Sequence, residues 1–106
     1  MEFKRPADHE SHDYYKLYIN QVEGNDFLQV LKNALDETIT FLESLAPAKW
    51  DYRYAEGKWS IKEVMIHILD SERVFAYRAL RISRNDTTPL PGFEQNDYVP
   101  YSAYNL

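Results

Sequence analysis

His67 is the side chain of this 106-residue sequence that is best suited to bind a metal ion. Glu63 lies four residues before it, Asp70 three residues after it and Ser71 one helical turn on. Imidazole nitrogen is a common ligand of zinc and nickel, and a nearby carboxylate can orient its second nitrogen. Because one histidine does not make a site, a hydrogen-bonded histidine at a helix interface stays an alternative.

Four further residues have side chains that suit chemistry. Asp70 is a candidate for orienting His67 or for a general base, with plain exposure as the alternative. Glu72 falls in the middle of an apolar helix stripe, which predicts a buried structural ion pair rather than a catalytic acid. His9 and His12, in the segment HESH, have a spacing that permits chelation on a turn, although such terminal runs are more often solvated.

Two long helices are expected to position these residues. Apolar residues recur at three- and four-residue steps from Asp26 to Ala46, and Pro47 is expected to end this first helix. A second helix is predicted from Ile61 to about Arg84. Ser60 is its expected N-cap, and Glu63 completes a capping box with it.

The second helix has an apolar face that is too broad for one neighbouring helix. Two helices cannot bury such a face by themselves, so the sequence predicts an all-α up-down bundle completed by dimerisation or by a missing half. A homodimer is the expected partner arrangement. The central stripe consists of Ile61, Met65, Ile68, Phe75 and Ala79.

Ordered arms flank the two helices. Residues 1–23 are polar with three tyrosines and are expected to pack through those aromatic rings. Residues 87–106 contain three prolines and a glycine, which predicts an extended crossover. Tyr98, Tyr101 and Tyr104 either pack beneath this segment or line a pocket, and packing is favoured.

The composition excludes several classes of protein. The chain has 17 acidic and 12 basic residues, a net charge of −5, and no basic stripe, which disfavours nucleic-acid binding. It has no cysteine, so disulfides and thiolate metal sites are excluded. It shows no apolar run of membrane-spanning length and no secretory signal, so a cytoplasmic protein without membrane partners is expected.

The segment KWSIKEVMIHILDSERVFAYRALRISRND, followed by LPGFEQNDYV, resembles the DinB-like superfamily, and its YfiT-like branch most closely. The upstream segment YINQVEGNDFLQVLKNALDETITFLESL is similar to the first helix of that family. The resemblance implies a four-helix bundle with a long crossover between its second and third helices. It also implies a divalent metal, often nickel or zinc, that is held by three histidines. His67 falls on the ligand position of the second helix.

The sequence departs from this pattern because it stops at the crossover. We therefore expect a single DinB-like domain over residues 1–106 that lacks the third and fourth helices and the late histidine pair of the family. The resemblance implies a metal-dependent hydrolase or a thiol S-transferase acting with a low-molecular-weight thiol or a small electrophile. The alternative is a non-catalytic, dimerising half-bundle that cannot complete the metal site.

Overall fold

A computed structural model describes residues 4–102 of the chain, and the regular elements in this range are helices, with no strand among them. The chain forms two compact units, residues 1–45 and residues 46–106. The predicted all-α class is therefore confirmed. The described α-helices are α1 (Asp13–Ile19), α2 (Phe27–Glu43), α3 (Ile61–Ser83) and α4 (Gln95–Tyr98), and 3-10 turns lie at Pro47–Lys49 and Val99–Tyr101.

Helix α2 begins where the sequence predicted and ends slightly earlier. The carboxylate of Asp26 accepts two backbone N–H groups of the first turn, at 3.1 and 3.3 Å, so Asp26 is the N-cap. The helix ends at Glu43, four residues before Pro47, so the proline is not what terminates it. The hydroxyl of Ser44 donates to the carbonyl of Phe41 at 2.6 Å and closes the last turn, while Pro47 opens a 3-10 turn instead.

Helix α3 has well-defined signals at both ends. At its start the capping box of Ser60 and Glu63 forms as predicted. At its end Asn85 adopts a φ of 54°, a left-handed conformation that asparagine tolerates better than most residues. The N–H of Asn85 donates to the carbonyl of Ile82 and that of Asp86 to the carbonyl of Arg81, both at 3.0 Å. This double hydrogen bond closes α3 at the predicted position.

The crossover after α3 is held by arginines of that helix. Arg78 donates to the carbonyl of Pro91 at 3.2 Å, and Arg81 donates to the carbonyl of Thr88 at 2.7 Å. The prediction of an extended crossover is wrong for residues 95–101, which form α4 and a 3-10 turn. Glu94 caps this short helix by accepting the N–H of Asn96 at 3.0 Å. The prediction of an extended segment rested on the surrounding prolines and did not take this cap into account.

Asp86 is expected to titrate well below an ordinary aspartate. Arg81 donates from Nε to its carboxylate at 2.5 Å, which lowers the pKa of Asp86 from 3.8 to about 2. The pKa of Asp86 is lower in the folded chain than in the unfolded chain, so its ion pair with Arg81 stabilises the fold fully above the ordinary pKa of aspartate. This stabilisation is lost as the pH falls towards about 2. An NMR titration of the carboxyl carbon should show this midpoint, and a midpoint near the ordinary value would contradict it. Asp86→Asn should flatten the dependence of unfolding on pH within that window.

The N-terminal arm contains the short helix α1, which the sequence did not predict. The ring of Tyr14 contacts those of Tyr15 and Tyr18, with centroids 5.3 and 5.6 Å apart. All three tyrosines are more than half exposed. Arg5 ties the preceding segment to α1 by donating to the carbonyl of Ile19 at 3.0 Å. Among the described residues, the tyrosine rings of the arm thus contact one another.

The apolar stripes of the two long helices are largely exposed. Val99 is the one hydrophobic residue that is buried in the described part of the chain. Glu72 is exposed together with the stripe around it, so the prediction of a buried Glu72 is wrong for the chain by itself. No described helix combines the length and the apolar character needed to cross a bilayer. The exposed stripe residues include Leu28, Leu31, Leu35 and Ile39 on α2 and Ile68 and Phe75 on α3.

Candidate metal-ligand site around His67

The imidazole of His67 packs against an aromatic ring, and its nitrogens have no hydrogen-bond partner among the described residues. His67 lies in the second turn of α3 and is half-buried. Its ring centroid is 5.1 Å from that of Trp59, and the two rings are tilted by 50°. Within residues 4–102 no hydrogen bond reaches either imidazole nitrogen, and no side-chain polar atom of this range is buried without a partner. The nitrogens therefore reach the surface and are available to a ligand.

The loop before α3 fixes the position of Trp59. Arg53 donates from Nη1 to the carbonyl of Lys58 at 2.6 Å, and the N–H of Ser60 donates to Glu63 Oε2 at 2.6 Å. The two residues that flank Trp59 are therefore both hydrogen-bonded. Trp59 itself is half-buried. In the sequence Trp59 directly precedes the N-cap Ser60, but nothing in the spacing of the residues indicates that its ring contacts His67.

Glu63 is engaged at the helix start rather than presented to His67. It is 6% exposed, and its Oε2 accepts both the N–H of Ser60 and the guanidinium of Arg53. The Oγ of Ser60 in turn accepts the N–H of Glu63 at 3.3 Å. The ion pair with Arg53 was not predicted, because the two residues lie ten positions apart and are joined by an irregular loop. Glu63 is therefore a structural residue of this site.

Asp70 faces the crossover and does not orient His67. Its carboxylate lies 3.4 Å from Nη1 of Arg73, and no hydrogen bond to His67 is present among the described residues. The side chain of Asp70 is 29% exposed. The hydrogen bond by which Asp70 was expected to orient the imidazole is therefore not formed among the described residues.

Asp70 instead contributes to an open cavity between α3 and the crossover. The cavity has a volume of about 510 Å³. Tyr98 packs on Phe93, with ring centroids 5.3 Å apart. Tyr101 is 91% exposed, so the favoured prediction that it packs beneath the crossover is wrong. Tyr104 lies outside the described residues. The cavity is lined by Ile66, Asp70, Asp97, Tyr98, Tyr101 and Ser102.

The histidines of the HESH segment do not form a chelating pair with a third donor. Nδ1 of His12 accepts the N–H of Tyr14 at 3.2 Å, so His12 caps α1. Over residues 4–102, no three histidine, cysteine or acidic side chains are grouped so that they would hold a metal ion. His67 thus fits the role of one ligand, but the described residues do not supply the remaining ligands of a complete site.

Comparison with known proteins decides the family. The model of the DinB superfamily matches residues 31–103. The chain belongs to the DinB superfamily. The matched range contains His67, all of α3 and the described crossover. The resemblance that residues 58–99 indicated is thereby confirmed.

A curated relative extends well beyond the matching segment. A protein of Oceanobacillus iheyensis named "Putative metal-dependent hydrolase" is 30% identical over 80 residues, which are 74% of this DinB-superfamily chain and 44% of the relative. The matched part thus spans less than half the length of that relative. No solved structure matches the chain.

Proposed function

We propose that this DinB-superfamily chain provides one ligand, His67, for a divalent metal, nickel or zinc, in a metal-dependent hydrolase or a thiol S-transferase. The observation that supports this most directly is the half-buried imidazole of His67, held against Trp59 with no hydrogen bond to a described residue. The name of the Oceanobacillus relative agrees with a metal-dependent reaction. A divalent metal in such a site lowers the pKa of a bound water or thiol.

The proposal requires further ligands from outside the described residues. Zinc and nickel sites in proteins need several donors, and residues 4–102 contain no suitable group of three. The additional donors come from a second copy of the chain or from another segment of the protein. Glu63 is not among them, because it holds the helix start together with Arg53. A low-molecular-weight thiol or a small electrophile is the proposed substrate class.

Metal content tests this proposal. Tag-free protein is exposed to zinc or nickel, separated from free metal and analysed for metal per chain, with native mass measured on the same sample. We expect the His67→Ala variant to lose the bound metal, because imidazole is the donor. His12→Ala is the matched control, since His12 caps α1 and should not affect retention. Equal metal content in wild type and His67→Ala, or none in wild type, would contradict the proposal.

The exposed apolar faces support a second candidate function, a non-catalytic half-bundle that forms a homodimer. Phe75 is 59% exposed and Ile68 is 41% exposed, although both lie on the central apolar stripe of α3. Exposed apolar side chains in such a stripe favour association. Metal content separates the two functions, because this half-bundle needs no metal.

A further inference from the structure

We propose that Trp59 is the positioning residue of His67: its indole ring restricts the imidazole to one orientation. The proposal rests on the proposed function, in which His67 is a metal ligand. The residue that orients such a histidine is usually a hydrogen-bond acceptor on the second ring nitrogen. No described residue provides that hydrogen bond here, and the ring contact at 5.1 Å takes its place.

The backbone around Trp59 is anchored firmly enough for this role. The carbonyl of Lys58 accepts from Arg53, and the N–H of Ser60 donates to Glu63, so hydrogen bonds hold the residues on both sides of Trp59. Ser60 and Glu63 are 2% and 6% exposed. Moving the backbone of Trp59 would therefore break the buried hydrogen bond between Ser60 and Glu63, which is costly.

The loop is also tied to the first turn of α3 at separate points. The N–H of Lys62 donates to the carbonyl of Trp50 at 3.0 Å, and that of Ile61 donates to the carbonyl of Tyr52 at 3.3 Å. His67 follows on the same continuous helix. The loop that presents the indole and the helix that presents the imidazole are thus held in a fixed relation.

The ring geometry suits a contact that orients without blocking. A tilt of 50° at 5.1 Å is within the range of favourable aromatic pairs. The contact leaves both imidazole nitrogens without a described hydrogen-bond partner. An acceptor bonded to one of these nitrogens would fix the imidazole but occupy that nitrogen, whereas contact with the indole occupies neither.

Two variants separate positioning from a purely structural role of Trp59 at the helix start. Trp59→Leu retains an apolar side chain next to Ser60 but removes the ring. Trp59→Phe retains a ring. The metal-independent measurement is the side-chain rotamer of His67 in the metal-free full chain, from three-bond NMR couplings and from cross-peaks between the rings of residues 59 and 67. The second measurement is zinc affinity by titration calorimetry.

We expect a single His67 rotamer with indole cross-peaks in wild type, rotamer averaging in folded Trp59→Leu, and recovery of one rotamer in Trp59→Phe. Zinc affinity should fall by roughly tenfold in Trp59→Leu and recover with the phenylalanine, as is typical for residues that orient a ligand. A purely structural role would shift the unfolding temperature without rotamer averaging in the folded state.

A single His67 rotamer in folded Trp59→Leu would overturn the proposal, and so would an averaged rotamer in wild type. If Trp59→Leu does not fold, the rotamers of wild type and Trp59→Phe decide, and an averaged rotamer in either refutes positioning by the ring. If wild type binds no zinc, the proposed function fails while the rotamer measurement still decides the role of Trp59.

Discussion

Glu63→Ala is expected to lower the free energy of unfolding by about 2 kcal/mol. The substitution removes the acceptor of the Ser60 N–H and the anionic partner of Arg53 at once. Ser60 is almost fully buried, so its N–H cannot turn to water instead. Urea unfolding followed by circular dichroism measures the loss.

Matched variants separate the hydrogen bond of Glu63 from its charge. Glu63→Gln keeps an acceptor for the Ser60 N–H and loses only the charge, so it should destabilise the protein less than the alanine. Ser60→Ala removes the opposite hydrogen bond of the capping box and should cost about 1 kcal/mol. Glu94→Ala is the control, because Glu94 caps the four-residue α4 at an exposed position. If Glu63→Ala is no more harmful than this control, the buried capping box is not a major source of stability.

The coupling between Glu63 and Arg53 can be measured with a double-mutant cycle. Arg53 is 44% exposed and Glu63 is nearly buried, so the pair is partly screened by solvent. Arg53→Ala should therefore destabilise the protein less than Glu63→Ala, because it leaves the capping hydrogen bonds intact. Additive losses in the double variant would show that the two side chains act independently.

Phe75→Asp is expected to convert a dimeric chain into a monomer. Phe75 lies on the central apolar stripe of α3 and is 59% exposed. A proposed homodimer buries this ring in each copy, and burial of such a side chain contributes about 2 kcal/mol, so the dissociation constant should rise at least roughly 30-fold. The introduced carboxylate lies three residues from Arg78, a favourable spacing within a helix. Analytical ultracentrifugation over a range of concentrations measures the change.

Tyr101→Asp is the matched control for this experiment. It replaces an aromatic ring by the same charged side chain in the same unit, at a position that is 91% exposed and lines the cavity beside the crossover. It should leave the native mass unchanged. A wild-type chain that is monomeric with cooperative unfolding, or a Phe75→Asp variant that remains fully dimeric, would contradict association through this stripe.

Glu72 shows that the sequence predicts the face of a helix on which a residue lies, but not whether that face is buried. The helical period places Glu72 in the centre of the stripe of α3. Its side chain is nevertheless exposed, because the apolar residues around it are exposed as well. Periodicity identifies which residues share a face. It does not identify what covers the face, which depends on a neighbour that the sequence of one helix does not describe.

The sequence by itself determined those features that depend on contacts within a few residues. The capping box of Ser60 and Glu63 and the end of α3 near Arg84 form as predicted, since hydrogen bonds between residues three to five apart define them. The family, and with it the candidate ligand position His67, was also visible in the residues of one continuous segment. The ligand role itself stays a prediction.

Only the tertiary structure decided which side chains surround that position. The contact of Trp59 with His67, the pairing of Arg53 with Glu63 and the orientation of Asp70 towards the crossover all depend on how irregular segments fold back on α3. Such contacts join residues through loops of no fixed period, so spacing alone does not predict them. In the proposed site, the contact with Trp59 orients the imidazole of His67. The orientation of Asp70 away from His67 leaves the imidazole nitrogens without a described partner.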